Sequence, residues 1–411
     1  WHKKISKRIK KNFKQSTILI DLPGVKPRSS NNQDVEIKKN QLVRFFYKKK
    51  KVTSKILSIQ LTNQIPKSNK RSLTVSDGKY FFSIKKKTTN SIICKSHETF
   101  SLKPRQGLNM PMSKYDDKLQ IKKYLTYLRK VENQVYFDAI GLSFIQSDEI
   151  IHFLKKKYPH LLIISKIENY FGFRNRAKIV KSSDAVMIDR GDLQAETGQY
   201  KLFENVNEIV NTCNEFGKPV IMATDNLGSM KNSIIPSKGD IISIGFAKQM
   251  NVDTIMLSEE TAIFKNYLKI IKTLKQILSK KDNNKKKFND KNVDSIIWRS
   301  LSGIGKVNIV LFSKKGYAIE KIRTMNSSVN LIVFTDSLKT FNQSKFRFNC
   351  KTILVPKFNN NSLENFIKKY LKIYKKYVFD KNNKAILLRV SYPKTGARAN
   401  TLTLLDSKNI V

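Results

Sequence analysis

The chain is organised as short apolar runs, rich in β-branched residues, that alternate with segments of helical character. Six such runs lie at residues 17–21, 137–144, 161–168, 185–189, 219–224 and 253–258. Strands that alternate with helices are typical of parallel βαβ units. Each run also ends in polar or charged residues, the pattern expected when one rim of a barrel carries the chemistry and the strand bodies only pack. The sequence therefore predicts an α/β fold built on a TIM-type (β/α)8 barrel.

The number of visible barrel strands is smaller than closure requires. Six runs are present, whereas a closed barrel of this type has about eight strands. Closure removes exposed strand edges, so a sheet that lacks two strands is destabilised unless something covers them. The chain also begins at Trp1 rather than at Met. We expect either a longer native protein or an incomplete barrel.

Two other parts of the chain differ in character from the barrel pattern. Alternating runs at residues 42–46, 55–61, 72–75, 80–84 and 91–94 indicate a small β domain inserted into a barrel loop. A polar, charged stretch at residues 280–292 resembles a linker, and the apolar runs after it alternate with helices. We predict the first part of the barrel at 1–28, a β-rich lid at 29–109, the rest of the barrel at 110–281 and a C-terminal α/β domain at 282–411.

Charge composition adds little to this picture. Lys and Arg number 79 against 32 Asp and Glu, a formal charge of +47, which by itself favours a polyanion partner. The lysines are scattered in short runs such as 48–51 and 155–157, with no concentrated patch. We interpret them as solvated faces in a compositionally biased chain, and disfavour nucleic acid as a partner.

The cysteines and the hydropathy pattern bear on compartment. Cys94, Cys213 and Cys350 lie far apart and form no CxxC pair, which favours a reducing environment. No apolar stretch approaches the roughly 18 to 20 residues that span a bilayer. We expect a soluble protein without a membrane segment, in the cytoplasm or an organelle lumen.

The strongest candidate chemistry follows two neighbouring strands. In the run that ends at Glu168, the period-2 geometry of a strand puts Lys166 and Glu168 on one face. The next strand leads into Gly191 and Asp192, where glycine lets the backbone approach a ligand closely. Two carboxylates at adjacent strand ends suit Mg²⁺ or Mn²⁺, which take one or two protein carboxylates. The alternative is a purely structural salt bridge between Lys166 and Glu168.

Hydroxyl groups end the next two strands. Thr224 is placed to bind a substrate carboxylate or to relay a proton through water, although a lone threonine more often caps a helix. Residues 257–262 (LSEETA) complete the set and fit a helix capping box equally well.

Together these segments resemble, in order along nearly the whole chain, the motifs of the pyruvate kinase family. The matching segments are LIDLPGVKPR from Leu19, Asp77 with Gly78, RQGLNMP from Arg105, LSF from Leu142, SKIEN from Ser165, RGDL from Arg190, GKPVIMAT from Gly217, MLSEETA from Met256 and TGARANTLTLL from Thr395. The resemblance implies a barrel with a lid, a C-terminal α/β domain and a homotetramer. It also implies the glycolytic transfer of a phosphoryl group from phosphoenolpyruvate to ADP, giving pyruvate and ATP. No counterpart of the family's first two barrel strands precedes Trp1.

The resemblance assigns roles to individual residues. Lys166 is similar to the lysine that stabilises the transferring phosphoryl group and the enolate. Glu168 and Asp192 match the Mg²⁺ ligands, and Thr224 matches a catalytic hydroxyl of the proton relay. Gly191, with Asp192 and Thr224, matches the positions that hold the substrate carboxylate.

The remaining assignments concern the nucleotide and a monovalent cation. Arg28 matches an arginine that contacts nucleotide phosphates, and Asp21 matches a K⁺ site. Leu22 stands where a threonine is usual, which removes one K⁺ ligand. Lys26 stands where a glutamate accompanies K⁺ dependence, so its ammonium is expected to replace the ion. The resemblance therefore argues against a K⁺ requirement.

Other departures from the family pattern keep alternatives open. Gln146, Gln194 and Asp225 stand where an arginine, a glycine and a glutamine are usual, which erodes the phosphate and nucleotide contacts. One alternative is a catalytically weakened or inactive paralogue. Another is a metal-dependent barrel enzyme that acts on pyruvate-type substrates without a nucleotide, for example by aldol cleavage. The last is a non-catalytic RNA-binding protein derived from the fold.

Overall fold

The computed structural model describes residues 1–48, 56–279, 307–325, 329–358, 363–379, 384–391 and 399–409. The predicted linker at 280–292, the predicted domain boundary after residue 281 and the start of the motif at Thr395 lie outside these residues. Within the described ranges, no helix has the length and apolar character that crossing a bilayer requires.

The N-terminal helix and first strand lead into a β-rich segment. They are α1 (His2–Asn12) and β1 (Leu19–Leu22). The β-rich segment contains β2 (Val35–Ile37), β3 (Leu42–Phe46), β4 (Leu57–Gln60), β5 (Ser72–Val75), β6 (Tyr80–Lys87), β7 (Ser91–Ser96), β8 (Phe100–Leu102) and β9 (Leu108–Asn109).

Strands and helices then alternate through the region predicted as the rest of the barrel. The elements are α2 (Asp117–Val131), β10 (Ala139–Leu142), α3 (Asp148–Lys157), β11 (Leu162–Ile167), α4 (Tyr170–Arg174), α5 (Arg176–Ser182), β12 (Ala185–Asp189), α6 (Arg190–Thr197), α7 (Leu202–Glu215), β13 (Val220–Ala223), α8 (Lys238–Gln249), β14 (Thr254–Ile255), α9 (Glu259–Ala262) and α10 (Tyr267–Ser279). Short 3₁₀ turns lie at Gln199–Lys201 and Gly228–Lys231.

The C-terminal elements again alternate. They are β15 (Asn308–Phe312), α11 (Tyr317–Met325), β16 (Leu331–Thr335), α12 (Leu338–Ser344), β17 (Cys350–Leu354), α13 (Leu363–Ile373), α14 (Lys375–Val378), β18 (Lys384–Ser391), β19 (Ala399–Asp406) and a 3₁₀ turn at Ser407–Asn409.

The barrel strands form one parallel sheet in the order β1-β10-β11-β12-β13-β14. Every neighbouring pair in it is parallel, which confirms the predicted α/β class and its six predicted strands. Among the described residues the sheet stays open, with β1 and β14 at its edges. The last strand is shorter than the predicted run at 253–258, because only Thr254 and Ile255 pair with β13.

The two faces of this sheet follow the period-2 alternation of its strands. Residues such as Ile163, Val186 and Met222 pack against the surrounding helices in the largest hydrophobic cluster. Their neighbours Ile164 and Met187 point to the opposite, inner face and form a separate cluster. The inner face is thus a packed core, as in closed barrels of this type.

The β-rich segment builds its own sheet, in the order β4-β3-β7-β6-β5-β9, beside the two-stranded pair β2-β8. Its fully buried centre includes Phe45 and Phe82, whose rings meet edge to face with centroids 5.6 Å apart. The C-terminal sheet has the order β17-β16-β15-β18-β19, with β19 antiparallel to its neighbour. Phe312 and Phe334 stack in its core with ring centroids 4.6 Å apart.

The C-terminal elements cover the rim where the barrel strands begin. Asn342 on α12 accepts a hydrogen bond from the Thr17 hydroxyl at 2.9 Å, just before β1. Arg347 donates to the Gly217 carbonyl at 2.7 Å, just before β13. Phe346 packs against the inner-face cluster of the barrel sheet. This arrangement leaves the opposite rim, where the strands end, for chemistry.

The β-rich segment contacts that opposite rim where its strand β9 meets helix α6 of the barrel. Glu196 on α6 is fully buried, and Asn109 on β9 donates to its Oε1 at 3.3 Å. Within the described residues, the other oxygen of Glu196 accepts no hydrogen bond. Burial raises the pKa of Glu196 to about 8, although Lys26 opposes the shift.

This buried glutamate predicts a pH dependence of stability. Because the pKa of Glu196 is about 8 in the folded state against an ordinary 4.5, the folded chain holds a proton that the unfolded chain releases. We expect the free energy of unfolding to fall as pH rises from about 5 to about 8, by on the order of a few kcal/mol. Glu196→Gln removes this contribution. The free energy of unfolding of the variant relative to wild type, measured in urea at pH 5, 6.5 and 8, should therefore increase with pH. Parallel pH profiles for the two proteins would contradict the prediction.

Candidate active site

Lys166 lies at the centre of a charged cluster at the rim where the barrel strands end. Its ammonium Nζ is 3.0 Å from Asp21 Oδ2, 3.3 Å from Glu168 Oε2 and 3.5 Å from Asp189 Oδ2. Ser143 Oγ accepts a further hydrogen bond from it at 3.3 Å. The side chain is 8% exposed, so these contacts form largely away from water.

The protonation of Lys166 follows from these neighbours. Burial alone would lower the pKa of the lysine, since it disfavours the charged form. The carboxylates of Glu168, Asp21 and Asp189 outweigh it and raise the pKa of Lys166 well above its ordinary value. The ammonium is therefore a fixed positive charge at any physiological pH.

Glu168 is fixed by an unusual backbone conformation. Phe144 adopts φ 60°, a left-handed value uncommon outside glycine, and its N–H donates to Glu168 Oε1 at 2.7 Å. Among the described residues, Glu168 Oε2 accepts no hydrogen bond, although it faces the ammonium of Lys166. Burial raises the pKa of Glu168 well above its usual range despite that ammonium, with the Asp189 and Asp192 carboxylates adding to the shift. The charged form of Glu168 is therefore costly unless a further cation compensates it.

Asp192 belongs to a helix, not to a strand end as its sequence position suggested. Strand β12 stops at Asp189, and Asp192 lies in the first turn of α6. A carboxylate is favoured there by the partial positive charge of a helix N-terminus. Lys26 Nζ and, at 3.1 Å, Asn109 Nδ2 both donate to Asp192 Oδ1. Burial would raise the pKa of Asp192, but the Lys26 ammonium and these hydrogen bonds lower it.

A third carboxylate, Asp189, joins the two predicted metal ligands. Glu168, Asp189 and Asp192 each have a carboxylate oxygen that lies within 4.8 Å of the corresponding oxygens of the other two. Around the rim, the described carboxylates of this cluster outnumber its ammonium groups. The ammonium groups are those of Lys26 and Lys166, and the carboxylates are those of Asp21, Asp77, Glu168, Asp189 and Asp192. Excess buried carboxylate with an unused oxygen is chemistry that fits a hard divalent cation such as Mg²⁺ or Mn²⁺.

Thr224 is held in a strained conformation beside these carboxylates. Its φ is 67°, an outlier for a β-branched residue. Arg190 fixes the backbone there, since its Nε donates to the Thr224 carbonyl at 3.0 Å and its Nη2 to Asn226 Oδ1 at 3.0 Å. The Thr224 hydroxyl donates to Asp189 Oδ1 at 2.7 Å and so does not act as a helix cap. Strain maintained by the surroundings is a common feature of functional sites.

Gly191 lies against this threonine. A Cβ at position 191 would lie in ordinary van der Waals contact, 3.4 Å from Thr224 Cγ2 and 3.8 Å from Asp189 Oδ1, so the backbone of this residue runs directly beside both side chains. The predicted substrate-binding residues Gly191, Asp192 and Thr224 therefore lie on one side of the cluster. Their roles stay predictions.

The nucleotide and K⁺ assignments lie at the edge of the cluster. Arg28 is exposed and donates to the Arg105 carbonyl at 3.3 Å. Asp21 is half exposed and accepts hydrogen bonds from Lys166 and from Ser143 Oγ, the latter at 3.2 Å. Ser258 precedes α9 but its side chain makes no capping hydrogen bond, so the capping-box interpretation is wrong.

Several members of the cluster were missed or only partly placed by the sequence. Asp189 was missed, although it continues the inner-face alternation of Ala185 and Met187. Asn109 gave no signal, because an asparagine at the end of a short strand is common. Lys26 was noticed for its charge, but its contact with Asp192 spans 166 positions along the chain.

Comparisons with known proteins agree with the geometry. A family model described as the pyruvate kinase barrel domain matches residues 2–268. Plastidial pyruvate kinase 2 of Arabidopsis thaliana is 30% identical over 275 residues, which is 64% of this chain but only 47% of the plant protein. The pyruvate kinase of Thermotoga maritima is 24% identical over an alignment of 419 residues, covering 98% of this chain and 89% of that protein.

A solved structure shows the same fold. The crystal structure of pyruvate kinase from Pyrobaculum aerophilum superposes with a TM-score of 0.74 at 18% identity, covering 98% of this chain and 89% of that one. The family model spans well over half of the chain. The chain belongs to the pyruvate kinase family.

Proposed function

We propose that the chain transfers a phosphoryl group from phosphoenolpyruvate to ADP, giving pyruvate and ATP. The observation that supports this most directly is the buried ammonium of Lys166, which faces three carboxylates at the barrel mouth. Phosphoryl transfer requires mainly positioning and the neutralisation of spreading negative charge. A lysine that cannot lose its proton at neutral pH meets the second requirement.

The metal end of the site is formed by Glu168 and Asp192. Their oxygens would hold Mg²⁺ or Mn²⁺, and the bound ion would act as a Lewis acid on a substrate oxygen. Phe144 orients one of these ligands through its N–H, and Asn109 orients the other. Both ligands are therefore positioned before anything binds.

The substrate end is formed by Gly191, Asp192 and Thr224. Gly191 adds no side chain at this end of the site, and the Thr224 hydroxyl beside it is a hydrogen-bond donor. The same hydroxyl would pass a proton, through water, to the carbon of the enolate. Arg190 holds the backbone of Thr224, so the hydroxyl stays at this end of the site, where it would exchange its hydrogen bond to Asp189 for one to the substrate.

Arg28 would complete the nucleotide end. Its guanidinium is exposed, and guanidinium groups suit the charge and geometry of phosphates. The guanidinium donates to the carbonyl of Arg105 at 3.3 Å, a single long hydrogen bond that a phosphate would readily replace.

A second candidate is metal-dependent chemistry on a pyruvate-type substrate without a nucleotide. The third carboxylate, Asp189, favours this second candidate, because it strengthens the metal end of the site. The nucleotide end, by contrast, has the exposed Arg28 as its assigned residue. Titration calorimetry separates the two candidates. Binding of pyruvate with Mg²⁺ but not of ADP would support the second candidate.

Replacing the central lysine tests the leading proposal. We expect Lys166→Met to lower pyruvate formation at least about 100-fold, because the charge that stabilises the transferring group is lost. The measurement is a coupled assay with phosphoenolpyruvate, ADP and Mg²⁺. Lys181→Met, an exposed lysine on α5, is the matched control and should keep the wild-type rate. Equal rates in the two variants would contradict the proposal.

The position of Lys26 predicts independence from K⁺. Its buried ammonium donates to Asp192 and lies 3.6 Å from Asp77 Oδ1, so a fixed charge already stands at this part of the rim. We expect equal turnover in potassium chloride and in tetramethylammonium chloride. Lys26→Glu should make turnover depend on K⁺. A wild-type rate that rises with K⁺ concentration would refute this prediction.

An apolar face on α8 and α10 supports the proposed homo-oligomer, which by resemblance is a tetramer. Ile241, Ile242, Phe246, Tyr267 and Leu268 on it are 42–61% exposed. Exposed apolar patches of this kind mark interaction surfaces.

Replacing part of this face tests the assembly. In sedimentation velocity, Ile242→Lys with Phe246→Lys should shift the tetramer towards smaller species, since burying two ammonium groups is costly. Phe153→Lys, at an exposed phenylalanine on α3, should leave the tetramer intact. A wild-type protein that sediments as a monomer would contradict this prediction.

A further inference from the structure

Asp189 reaches the centre of the site from the end of β12. It follows Ala185 and Met187 on the inner face of the barrel sheet, so its side chain points into the mouth. Its Oδ1 accepts the hydrogen bond of the Thr224 hydroxyl at 2.7 Å, and its Oδ2 is 3.5 Å from Lys166 Nζ. The carboxylate is 20% exposed, which is enough to contact a small ligand.

The same carboxylate lies where the proposed substrate would place its own. The resemblance assigns the substrate carboxylate to Gly191, Asp192 and Thr224. The only hydroxyl of this set, that of Thr224, already donates to Asp189 Oδ1 at 2.7 Å. A substrate carboxylate that accepted a hydrogen bond from the same hydroxyl would lie beside the Asp189 carboxylate, and the two anions would repel one another. Asp189 therefore competes with an incoming carboxylate.

Asp189 also adds to the metal end. Its oxygen lies within 4.8 Å of one oxygen each of Glu168 and Asp192. The buried Oε2 of Glu168 has Lys166 Nζ at 3.3 Å but accepts no hydrogen bond within the described residues, so it is an independent indication of an oxygen that can take a further cation. The affinity of a site for a hard divalent cation rises with the number of charged oxygen ligands.

We propose that Asp189 determines the specificity of this site. It acts as a third metal ligand and takes the Thr224 hydroxyl away from the substrate carboxylate. The site consequently binds a divalent metal more tightly, and a carboxylate-bearing substrate more weakly, than it would with an uncharged residue at position 189. This inference rests on the proposed function, because that function supplies the carboxylate substrate.

Removing the carboxylate should move the two affinities in opposite directions. For Asp189→Ala we expect Mn²⁺ binding, measured by electron paramagnetic resonance of free MnCl₂, to weaken about tenfold or more. At saturating MnCl₂, pyruvate binding measured by calorimetry should tighten about tenfold, since the repulsion is removed and the Thr224 hydroxyl is released. Asp189→Asn has the same shape as the native residue and should show the same directions if the alanine variant folds poorly.

A matched control separates this role from a general loss of negative charge. Asp34→Asn removes an exposed carboxylate that lies just before β2, outside the group of metal-facing oxygens. It should leave both affinities within about twofold of wild type, because an exposed charge is screened by solvent. Equal effects of the Asp34 and Asp189 variants, or no effect of either, would overturn the proposal.

The outcome also distinguishes this inference from the proposed function. If the wild-type chain forms no pyruvate but the Asp189 variants shift Mn²⁺ and pyruvate binding as expected, the turnover proposal fails and the role of Asp189 stands. If Lys166→Met abolishes pyruvate formation while the Asp189 variants bind Mn²⁺ and pyruvate as wild type does, the turnover proposal stands and the role of Asp189 fails.

Discussion

Burial of the Lys166 ammonium among carboxylates is the interaction on which the rest of the rim depends. A charge taken out of water is costly unless partners surround it, and an excess of carboxylates is costly in turn. The parallel sheet solves the first problem, because neighbouring strands end at one rim and each supplies a group to it. The same sheet produces the excess of carboxylates, since it brings Glu168 and Asp189 together with Asp192. The described cluster therefore contains more carboxylates than ammonium groups.

The sequence predicted the framework better than the site. The alternation of apolar runs gave all six barrel strands, and period 2 correctly put Lys166 and Glu168 on one face. Asp192 was harder to place, because nothing in the sequence separates the last residue of β12 from the first turn of α6. The contact between Lys26 and Asp192 could not be predicted, since it depends on how the loop after β1 folds over the rim. Local patterns specify elements, whereas contacts across the chain need the packed structure.

The β-rich segment takes part in the site as well as covering it. Asn109, at the end of β9, donates to both Asp192 and Glu196 on α6. Asp77, from the turn between β5 and β6, lies 3.6 Å from Lys26 Nζ. Each contact joins this segment to a group on the barrel rim. The orientation of the segment and the charge balance of the rim are consequently coupled.

The contact of Phe346 with the inner face of the barrel sheet affects how freely this architecture can be recombined. A barrel that fills its own lumen can exchange an appended domain without disturbing its core. Here the C-terminal part of the chain contributes a side chain that packs against that core, as Leu19 and Met256 of the barrel part also do. The two parts are therefore not interchangeable modules. Substitutions on one side of this contact constrain which substitutions the other side tolerates, and the two must diverge together.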